Sequence, residues 1–159
     1  MSTKAFCPGH ITGFFTISDK DRSLVGTGSR GAGFSMELGA TSEVRIGGDE
    51  WYIELDGEHT SFPVVEKTLF NIAPGGEVII ETDIPLSQGF GMSGACALSA
   101  GMAALKELKK DYEKAIEIAH ISEVFCKTGL GDVIAQSKGG FEIRVKEGLP
   151  PKGEIKTND

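Results

Sequence analysis

A six-residue glycine pattern, G-x-G-x-x-G, occurs twice in this chain of 159 residues, at residues 26–31 and at residues 89–94. Clustered glycines let the backbone turn tightly and approach an anion closely. When such a loop leads directly into a helix, its free N–H groups and the helix dipole favour phosphate. The second copy has this arrangement, because apolar residues recur at helical spacing after Gly94. It therefore predicts a phosphate-binding loop.

Two common phosphate loops share part of this pattern, and the surrounding sequence fits neither. A dinucleotide-binding fold needs a strand after the loop and its helix, with an acid about 20 residues on. Here a second helical segment follows the first. A Walker loop needs Lys and then Ser or Thr after its last glycine, whereas Ala95 and Cys96 follow Gly94. Ser93 is then the hydroxyl placed to contact a phosphate or its Mg²⁺, or else an ordinary N-cap of a glycine-rich helix start.

The remaining pattern predicts an α+β fold, because strands come first and helices are interleaved later. Strands are predicted at residues 11–17, 42–46, 50–55, 78–82 and 141–146, and helices at residues 62–72, 95–108 and 112–127. A hairpin is predicted around Gly47, Gly48 and Asp49, and Asp111 is predicted as an N-cap. Residues 146–159 lack periodicity and indicate a linker or a tail.

Charge and cysteine content argue against several functional classes. The net charge is −7 and the Lys and Arg residues are scattered, which argues against a nucleic-acid-binding protein. We find neither a segment with the length and apolarity of a membrane span nor the pattern of a signal peptide. Cys7, Cys96 and Cys126 are too far apart to predict a disulfide framework or a zinc site. They indicate a reducing, cytoplasmic environment.

Two acids and one arginine in the second half are candidates for chemistry. Glu123 falls within a mostly apolar arc of its predicted helix, so its carboxylate needs a partner, either a metal ion or Lys127 one turn on. Asp132 follows a Gly-Leu-Gly turn and is either a turn residue or a carboxylate that orients a substrate hydroxyl for phosphoryl transfer. Arg144 lies opposite the apolar residues of its strand, either solvated or available to a substrate carboxylate.

Residues 85–95 resemble the P-x-x-x-G-[LF]-G-x-S-[SG]-A loop of the GHMP kinases, the family of galacto-, homoserine, mevalonate and phosphomevalonate kinases. In that family the loop wraps the phosphates of ATP without a Walker lysine. Further stretches look like the archaeal pantoate kinases of this family, namely residues 5–15, 28–33, 119–123, 129–136 and 139–144. The resemblance implies the two-layer α+β fold of a GHMP kinase N-terminal domain, which is related to domain 2 of ribosomal protein S5.

The resemblance also implies an activity, the ATP-dependent phosphorylation of pantoate to 4-phosphopantoate on the archaeal route to coenzyme A, with ATP and Mg²⁺ as cofactors. The residues implied to bind ATP are Pro85, Gly89, Phe90, Gly91, Met92, Ser93, Gly94 and Ala95. Ser93 and Glu123 are implied to hold Mg²⁺, and Asp132 is implied as the catalytic carboxylate facing the substrate hydroxyl. The residues implied to bind pantoate, a small-molecule substrate, are Ser29, His120 and Arg144, the last as the anchor of its carboxylate.

Members of this family carry a second, ferredoxin-like domain. Residues 1–150 are then expected to be the N-terminal ATP-binding domain and residues 151–159 a linker or tail, with the C-terminal domain absent from this chain. One domain lacks the wall that closes over ATP and substrate, so we expect weak or absent turnover from the isolated chain. The resemblance is compatible with a homodimer. The alternatives are another GHMP small-molecule kinase, such as a mevalonate-type enzyme, or a non-catalytic nucleotide- or RNA-binding module of the same fold.

Overall fold

The computed structural model of the chain describes residues 2–18 and 23–158. Its strands are β1 (Thr3–Ser18), β2 (Gly28–Ile46), β3 (Trp51–Leu55), β4 (Glu58–His59), β5 (Gly76–Thr82), β6 (Phe141–Lys146) and β7 (Glu154–Thr157). Its helices are α1 (Pro63–Phe70), α2 (Met92–Glu107), α3 (Lys114–Cys126) and α4 (Asp132–Lys138). The predicted α+β class is therefore confirmed. Within the described ranges, every helix is too short or too polar to cross a membrane.

One sheet organises the domain, and β2 is its central strand. β1 pairs antiparallel along most of β2. On the other side of β2, β6 pairs with residues 31–34 and β5 with residues 40–46. The order beyond them is β4-β3-β5 at one end and β6-β7 at the other. This arrangement brings the two ends of the chain into the same sheet, because β1 and β6 flank the same stretch of β2.

The hairpin predicted across residues 42–55 is wrong. β2 and β3 do not pair with each other; β5 lies between them, antiparallel to β2 and parallel to β3. The connecting loop bonds to the segment before β5 rather than across itself, since the Gly47 N–H donates to the Gly75 carbonyl at 3.1 Å and the Gly76 N–H to the Glu50 carbonyl at 2.9 Å. A Gly-Gly-Asp turn signal is local, so it does not reveal an inserted strand.

Helices α1, α2 and α4 pack against the sheet and α3 packs against these helices, with α2 at the centre of the core. Its small side chains let it pack closely against β1, β2 and β5, and the fully buried ones include Ala95, Ala97, Ala100, Ala103 and Ala104. Dense packing of small residues brings the backbone of α2 close to the sheet. The N-terminus of this helix is thereby fixed relative to β1, α3 and α4.

Helix boundaries differ modestly from the predictions. α1 begins at Pro63, one residue after the predicted start, and α3 begins at Lys114, two residues after the predicted start. Asp111 does not cap that helix directly; its carboxylate accepts the Glu113 N–H at 3.0 Å in the turn before it. α4 was not predicted, because the glycines before Asp132 indicated only a break. The last segment, predicted as linker or tail, contains β7, which pairs antiparallel with β6.

Strand β6 has an unusual distribution of side chains. Glu142 and Arg144 are buried, at 0% and 3% exposed, whereas Phe141, Ile143 and Val145 are all more than 40% exposed. The interpretation of Arg144 as a solvated residue is therefore wrong. Their neighbours across the sheet are Gly33 and Gly31 of β2, which have no side chains to occupy the same space. Buried charges need partners, and these partners form part of the site described next.

Candidate active site

The glycine loop at residues 85–91 connects β5 to α2. Gly89 and Gly91 both have positive φ, at 82° and 60°, a conformation that favours glycine. Gly91 immediately precedes α2, and no side chain caps this helix end. The first N–H groups of α2 therefore remain available to an anion. The backbone thus provides an uncapped helix start behind a glycine loop, and phosphate binding there stays a prediction.

Two contacts hold this loop to the rest of the domain. The side-chain amide of Gln136, on α4, donates to the Gly91 carbonyl at 2.7 Å. The backbone N–H of His10, on β1, donates to the Phe90 carbonyl at 2.9 Å. Gln136 was not among the predicted site residues, since an amide in the middle of an unpredicted helix gives no signal in the sequence.

Residues of the loop and of the first turn of α2 differ in what they can offer a nucleotide. The side chains of Met92 and Ala95 lie in the hydrophobic core, so only their backbone can face a phosphate. Gly94 faces α3 and α4, where an added Cβ would lie 3.1 Å from Glu123 Oε2. Ser93 is the residue of this turn that offers a hydroxyl. It is not an N-cap, because that position belongs to Gly91.

Glu123 is buried at 1% exposed and lies beside the start of α2. Its Oε1 accepts the Ser93 hydroxyl at 2.8 Å and the Thr128 hydroxyl at 3.3 Å. No ion pair joins it to Lys127 in the described part of the chain, so that proposed partner is wrong. Burial first, and then the negative charge of Asp132, raise the pKa of Glu123 to about 7, against the lowering effect of the two hydroxyls.

This donor set fits a magnesium ion bound to a nucleotide. Mg²⁺ prefers hard oxygen ligands and is usually held by one or two carboxylates together with phosphates and water. Glu123 and Ser93 offer a carboxylate and a hydroxyl at the end of a helix that favours phosphate. Within residues 2–18 and 23–158, no three His, Cys, Asp or Glu side chains form a protein-only metal cage. The predicted pair therefore suits a metal that arrives with ATP.

A cavity of about 390 Å³ opens where the start of α4 meets β1, β2 and β6. Ser29, Asp132 and Arg144, three of the four predicted acceptor-site and catalytic residues, line it together with Thr12 and residues 127–131. Gly131 lets them converge, since a Cβ there would lie 2.5 Å from Ser29 Oγ and 2.9 Å from Arg144 Nε. Arg144 Nε is buried and has no hydrogen-bond partner among the described residues. Arg144 thus has one guanidinium N–H that no described residue accepts.

His120 does not line this cavity. It is 1% exposed and its Nε2 donates to the Thr27 carbonyl at 3.1 Å. Burial first lowers its pKa, although the backbone hydrogen bonds oppose the change, so it is neutral at pH 7. Its contact is with the turn that leads into Ser29. The first glycine pattern accordingly belongs to the cavity side of the site, through Ser29.

A buried network behind the cavity was missed by the sequence analysis. His10, fully buried, lies between Asp132 and Glu142: its Nδ1 is 3.2 Å from Asp132 Oδ1 and its Nε2 is 3.0 Å from Glu142 Oε1. The same Glu142 oxygen accepts Arg144 Nη1 at 2.5 Å. The alternation of β6 placed Glu142 and Arg144 on one face, which was an available signal. His10 lies more than a hundred residues from Asp132 and offered none.

Comparison with known proteins assigns this fold to one family. The profile described as "GHMP kinases N terminal domain" matches residues 62–140, which include the glycine loop, Glu123 and Asp132. A solved structure described as "Phosphotransferase related to CoA biosynthesis pathway" has a TM-score of 0.90 at 30% identity and covers 100% of this chain and 58% of its own. This chain belongs to the GHMP kinase family, of which it has the N-terminal domain.

Two curated relatives are more specific. A pantoate kinase of Methanocaldococcus jannaschii is 43% identical over 150 residues, which cover 91% of this chain and 54% of the relative. A pantoate kinase of Thermococcus kodakarensis is 34% identical over 165 residues, with 96% and 55% covered. This chain therefore spans about half the length of the curated relatives it matches. A mevalonate kinase structure, at 14% identity and a TM-score of 0.67, shows only the shared fold.

Proposed function

We propose that the protein containing this chain is a pantoate kinase, which transfers the γ-phosphoryl group of ATP to the hydroxyl of pantoate on the route to coenzyme A. The observation that carries the proposal is the position of Asp132 between the glycine loop and the cavity. An added Cβ at Gly91 would lie 3.1 Å from Asp132 Cγ, and the same aspartate lines the cavity. A carboxylate there can meet an acceptor hydroxyl next to a bound γ-phosphate. The names of the relatives support pantoate as the acceptor.

On the nucleotide side, the chain supplies backbone and two oxygen ligands. The N–H groups at the start of α2 and the loop glycines Gly89 and Gly91 would bind the phosphates of ATP. Ser93 and Glu123 would hold Mg²⁺, whose charge, when it is bound, stabilises the phosphates during transfer. Gly94 and Gly129 leave room for the Glu123 carboxylate, since a Cβ at Gly129 would lie 2.4 Å from its Oε2.

On the acceptor side, Arg144 and Ser29 would bind the substrate and Asp132 would receive its proton. The guanidinium of Arg144, which lines the cavity, suits the carboxylate of pantoate, because a guanidinium and a carboxylate form strong charge-assisted hydrogen bonds. The Ser29 hydroxyl lies beside that guanidinium and offers a second polar contact. His120 remains a predicted member of this side, and its support is the hydrogen bond to Thr27 that holds the turn before Ser29.

The transfer step conserves protons and electrons among these groups. The acceptor O–H bond breaks and its proton passes to the Asp132 carboxylate. A new bond forms between the acceptor oxygen and the γ-phosphorus while the bond to the bridging oxygen of ADP breaks, and ADP leaves with that electron pair. Positioning and charge stabilisation account for most of the rate in such a reaction. In this direct transfer from ATP to the acceptor, no covalent intermediate forms on the protein.

A direct assay tests the proposal on the natural protein that contains residues 1–159. ADP release is measured with ATP and Mg²⁺ against pantoate, mevalonate and homoserine as acceptors. We expect turnover with pantoate, and turnover with mevalonate or homoserine alone would replace pantoate kinase with the alternative GHMP kinase. The isolated 159 residues are expected to turn over weakly or not at all. We also place the protein in the cytoplasm, where thiols such as Cys7 and Cys96 stay reduced.

A further inference from the structure

His10 is a buried polar residue that the proposed mechanism does not use, although both of its ring nitrogens contact carboxylates. Its side chain is 0% exposed, and both ring nitrogens face carboxylate oxygens, Nδ1 at 3.2 Å from Asp132 and Nε2 at 3.0 Å from Glu142. Glu142 is also fully buried and shares its Oε1 with Arg144. The four side chains come from β1, α4 and β6, so the contacts form only in the assembled fold. The network connects the acceptor-binding arginine with the proposed base.

This geometry favours a doubly protonated ring. A neutral imidazole has one N–H and one lone pair, and either tautomer would turn that lone pair towards a carboxylate oxygen. The charged groups that face the ring are Asp132, Glu142 and Arg144, two negative and one positive, so a positive imidazolium balances the cluster. Burial lowers the pKa of His10, but the hydrogen bonds and charges of Asp132 and Glu142 outweigh it and raise the pKa above 6.5.

We propose that His10 is a positioning residue: its imidazolium, anchored by Glu142, holds the Asp132 carboxylate through Oδ1 and leaves Oδ2 to receive the proton of the acceptor hydroxyl. This inference rests on the proposed function for its kinetic consequence, whereas the protonation of His10 stands apart from it. The backbone of the same residue holds the Phe90 carbonyl of the glycine loop. One residue thus fixes the base relative to the phosphates. Gly33 makes this position accessible, since a Cβ there would lie 2.7 Å from the His10 ring.

Two substitutions separate the two hydrogen bonds of the ring. An asparagine amide nitrogen stands as many bonds from Cα as His Nδ1, and a glutamine amide nitrogen as many as His Nε2. His10→Asn therefore retains a donor towards Asp132 and loses the contact with Glu142. His10→Gln retains the contact with Glu142 and loses the one with Asp132. If His10 acts through Asp132, His10→Gln must be the more damaging change.

The kinetic test is made on the natural protein with pantoate, ATP and Mg²⁺. We expect His10→Gln to lower kcat about 10- to 100-fold, the usual range for an outer partner of a reacting group, with KM for ATP unchanged. His10→Asn should retain several times more activity. Both variants remove a positive neighbour of Asp132, so the acid limb of the kcat–pH profile should move up by about one pH unit. A purely structural defect would lower kcat without moving that limb.

A spectroscopic arm tests the network in the 159-residue chain itself and needs no catalysis. The chain has three histidines, and ¹⁵N NMR distinguishes charged rings from neutral tautomers. We expect His10 to be doubly protonated at neutral pH and its pKa to fall in Asp132→Asn. His59→Gln is the matched control, because His59 lies exposed on β4 and stacks on Tyr52; it should change neither readout. The spectra also report whether each variant folds.

The outcomes separate the inference from the proposed function. An inactive wild-type protein with a doubly protonated His10 would overturn the function and leave the network. An active wild type in which His10→Gln equals His10→Asn, with an unmoved pH profile, would overturn the positioning role. A neutral His10 with its proton on Nε2, accepting the Thr12 hydroxyl that lies 3.3 Å from Nδ1, would overturn the inference altogether.

Discussion

The two ends of the site are built in different ways. The phosphate end, residues 85–95 with Glu123, consists mainly of backbone from one contiguous segment and one carboxylate that faces it. The acceptor end, Ser29, Asp132 and Arg144 with His10 and Glu142 behind them, consists of side chains from β1, β2, α4 and β6. On the proposed function, the first end would bind phosphate through N–H groups, and the second would recognise one particular acceptor. Phosphate can be bound by one local segment of backbone. Recognition of a particular acceptor here depends on side chains that only the register of the sheet brings together.

The largest expected effect concerns the acceptor end. Asp132→Asn keeps the shape of the side chain and removes its ability to take a proton. In the natural protein we expect kcat to fall about a thousandfold, with the KM values for ATP and pantoate changed by little. Steady-state ADP release measures both. Asp111→Asn, at an exposed position before α3, should behave as wild type, and an unchanged kcat in Asp132→Asn would remove this residue from the mechanism.

The second effect concerns the phosphate end and appears as pH-dependent stability. The pKa of Glu123 is about 7 in the folded chain against 4.5 for a free carboxyl, so the folded state binds this proton more tightly. Its contribution to stability is complete below pH 4.5 and is lost as the pH rises through about 7. Without Mg²⁺, we expect the free energy of unfolding to fall by about 2–3 kcal/mol more in wild type than in Glu123→Gln between about pH 5 and about pH 8.

Denaturant titrations at several pH values measure this difference. Glu117→Gln provides the matched control, since Glu117 lies exposed on the same helix and should retain the wild-type pH dependence. Equal pH dependence in wild type and Glu123→Gln would mean that folding does not raise the pKa of Glu123. Burial and the negative charge of Asp132 would then not control the protonation of Glu123.

The third prediction tests the specificity of the acceptor end. Arg144→Lys keeps a positive charge next to Glu142 but loses the planar fork that suits a carboxylate. We expect KM for pantoate to rise about 10- to 100-fold, as for a lost hydrogen bond between charged groups, with KM for ATP unchanged. Arg45→Lys, at an exposed site on β2, serves as control. A rise in KM for ATP instead would move Arg144 to the phosphate end.

The smallest effect concerns the space around Glu123. Gly129→Ala places a Cβ 2.4 Å from Glu123 Oε2 and must displace that carboxylate. We expect Mg²⁺-dependent ATP binding by the chain to weaken about tenfold, measured by calorimetry with and without the metal. Gly47→Ala, where an added Cβ meets nothing within 4 Å, should bind as wild type. Equal binding by both variants would show that Glu123 does not hold the metal.

The contrast between the two ends also decides what could be predicted from the sequence. The phosphate end is local, so its glycines, Ser93 and the following helix were recognisable in order along the chain. Glu123 stood out because an acid in an apolar helical arc needs a partner, although only the fold shows that Ser93 and Thr128, and not Lys127, supply it.

The acceptor end was predicted only in part. Asp132, Ser29 and Arg144 were identified by resemblance, but the cavity that they line together depends on the pairing of Gly31 with Arg144 across β2 and β6. No local pattern determines that register. His10 and Glu142 were missed for the same reason. They contact each other only because β1 and β6 flank the same strand, β2. The hairpin error at residues 42–55 has the same origin, because a strand inserted from later in the chain leaves no mark on the turn.

The most direct test of the whole account is a crystal structure of the natural protein with Mg²⁺, a non-hydrolysable ATP analogue and pantoate. The account predicts the γ-phosphate at Gly89, Gly91 and Ser93, the pantoate carboxylate on Arg144, and the acceptor hydroxyl between the γ-phosphorus and Asp132. Pantoate bound elsewhere, or a nucleotide whose phosphates lie away from the start of α2, would contradict the claim that these two ends form one phosphoryl-transfer site.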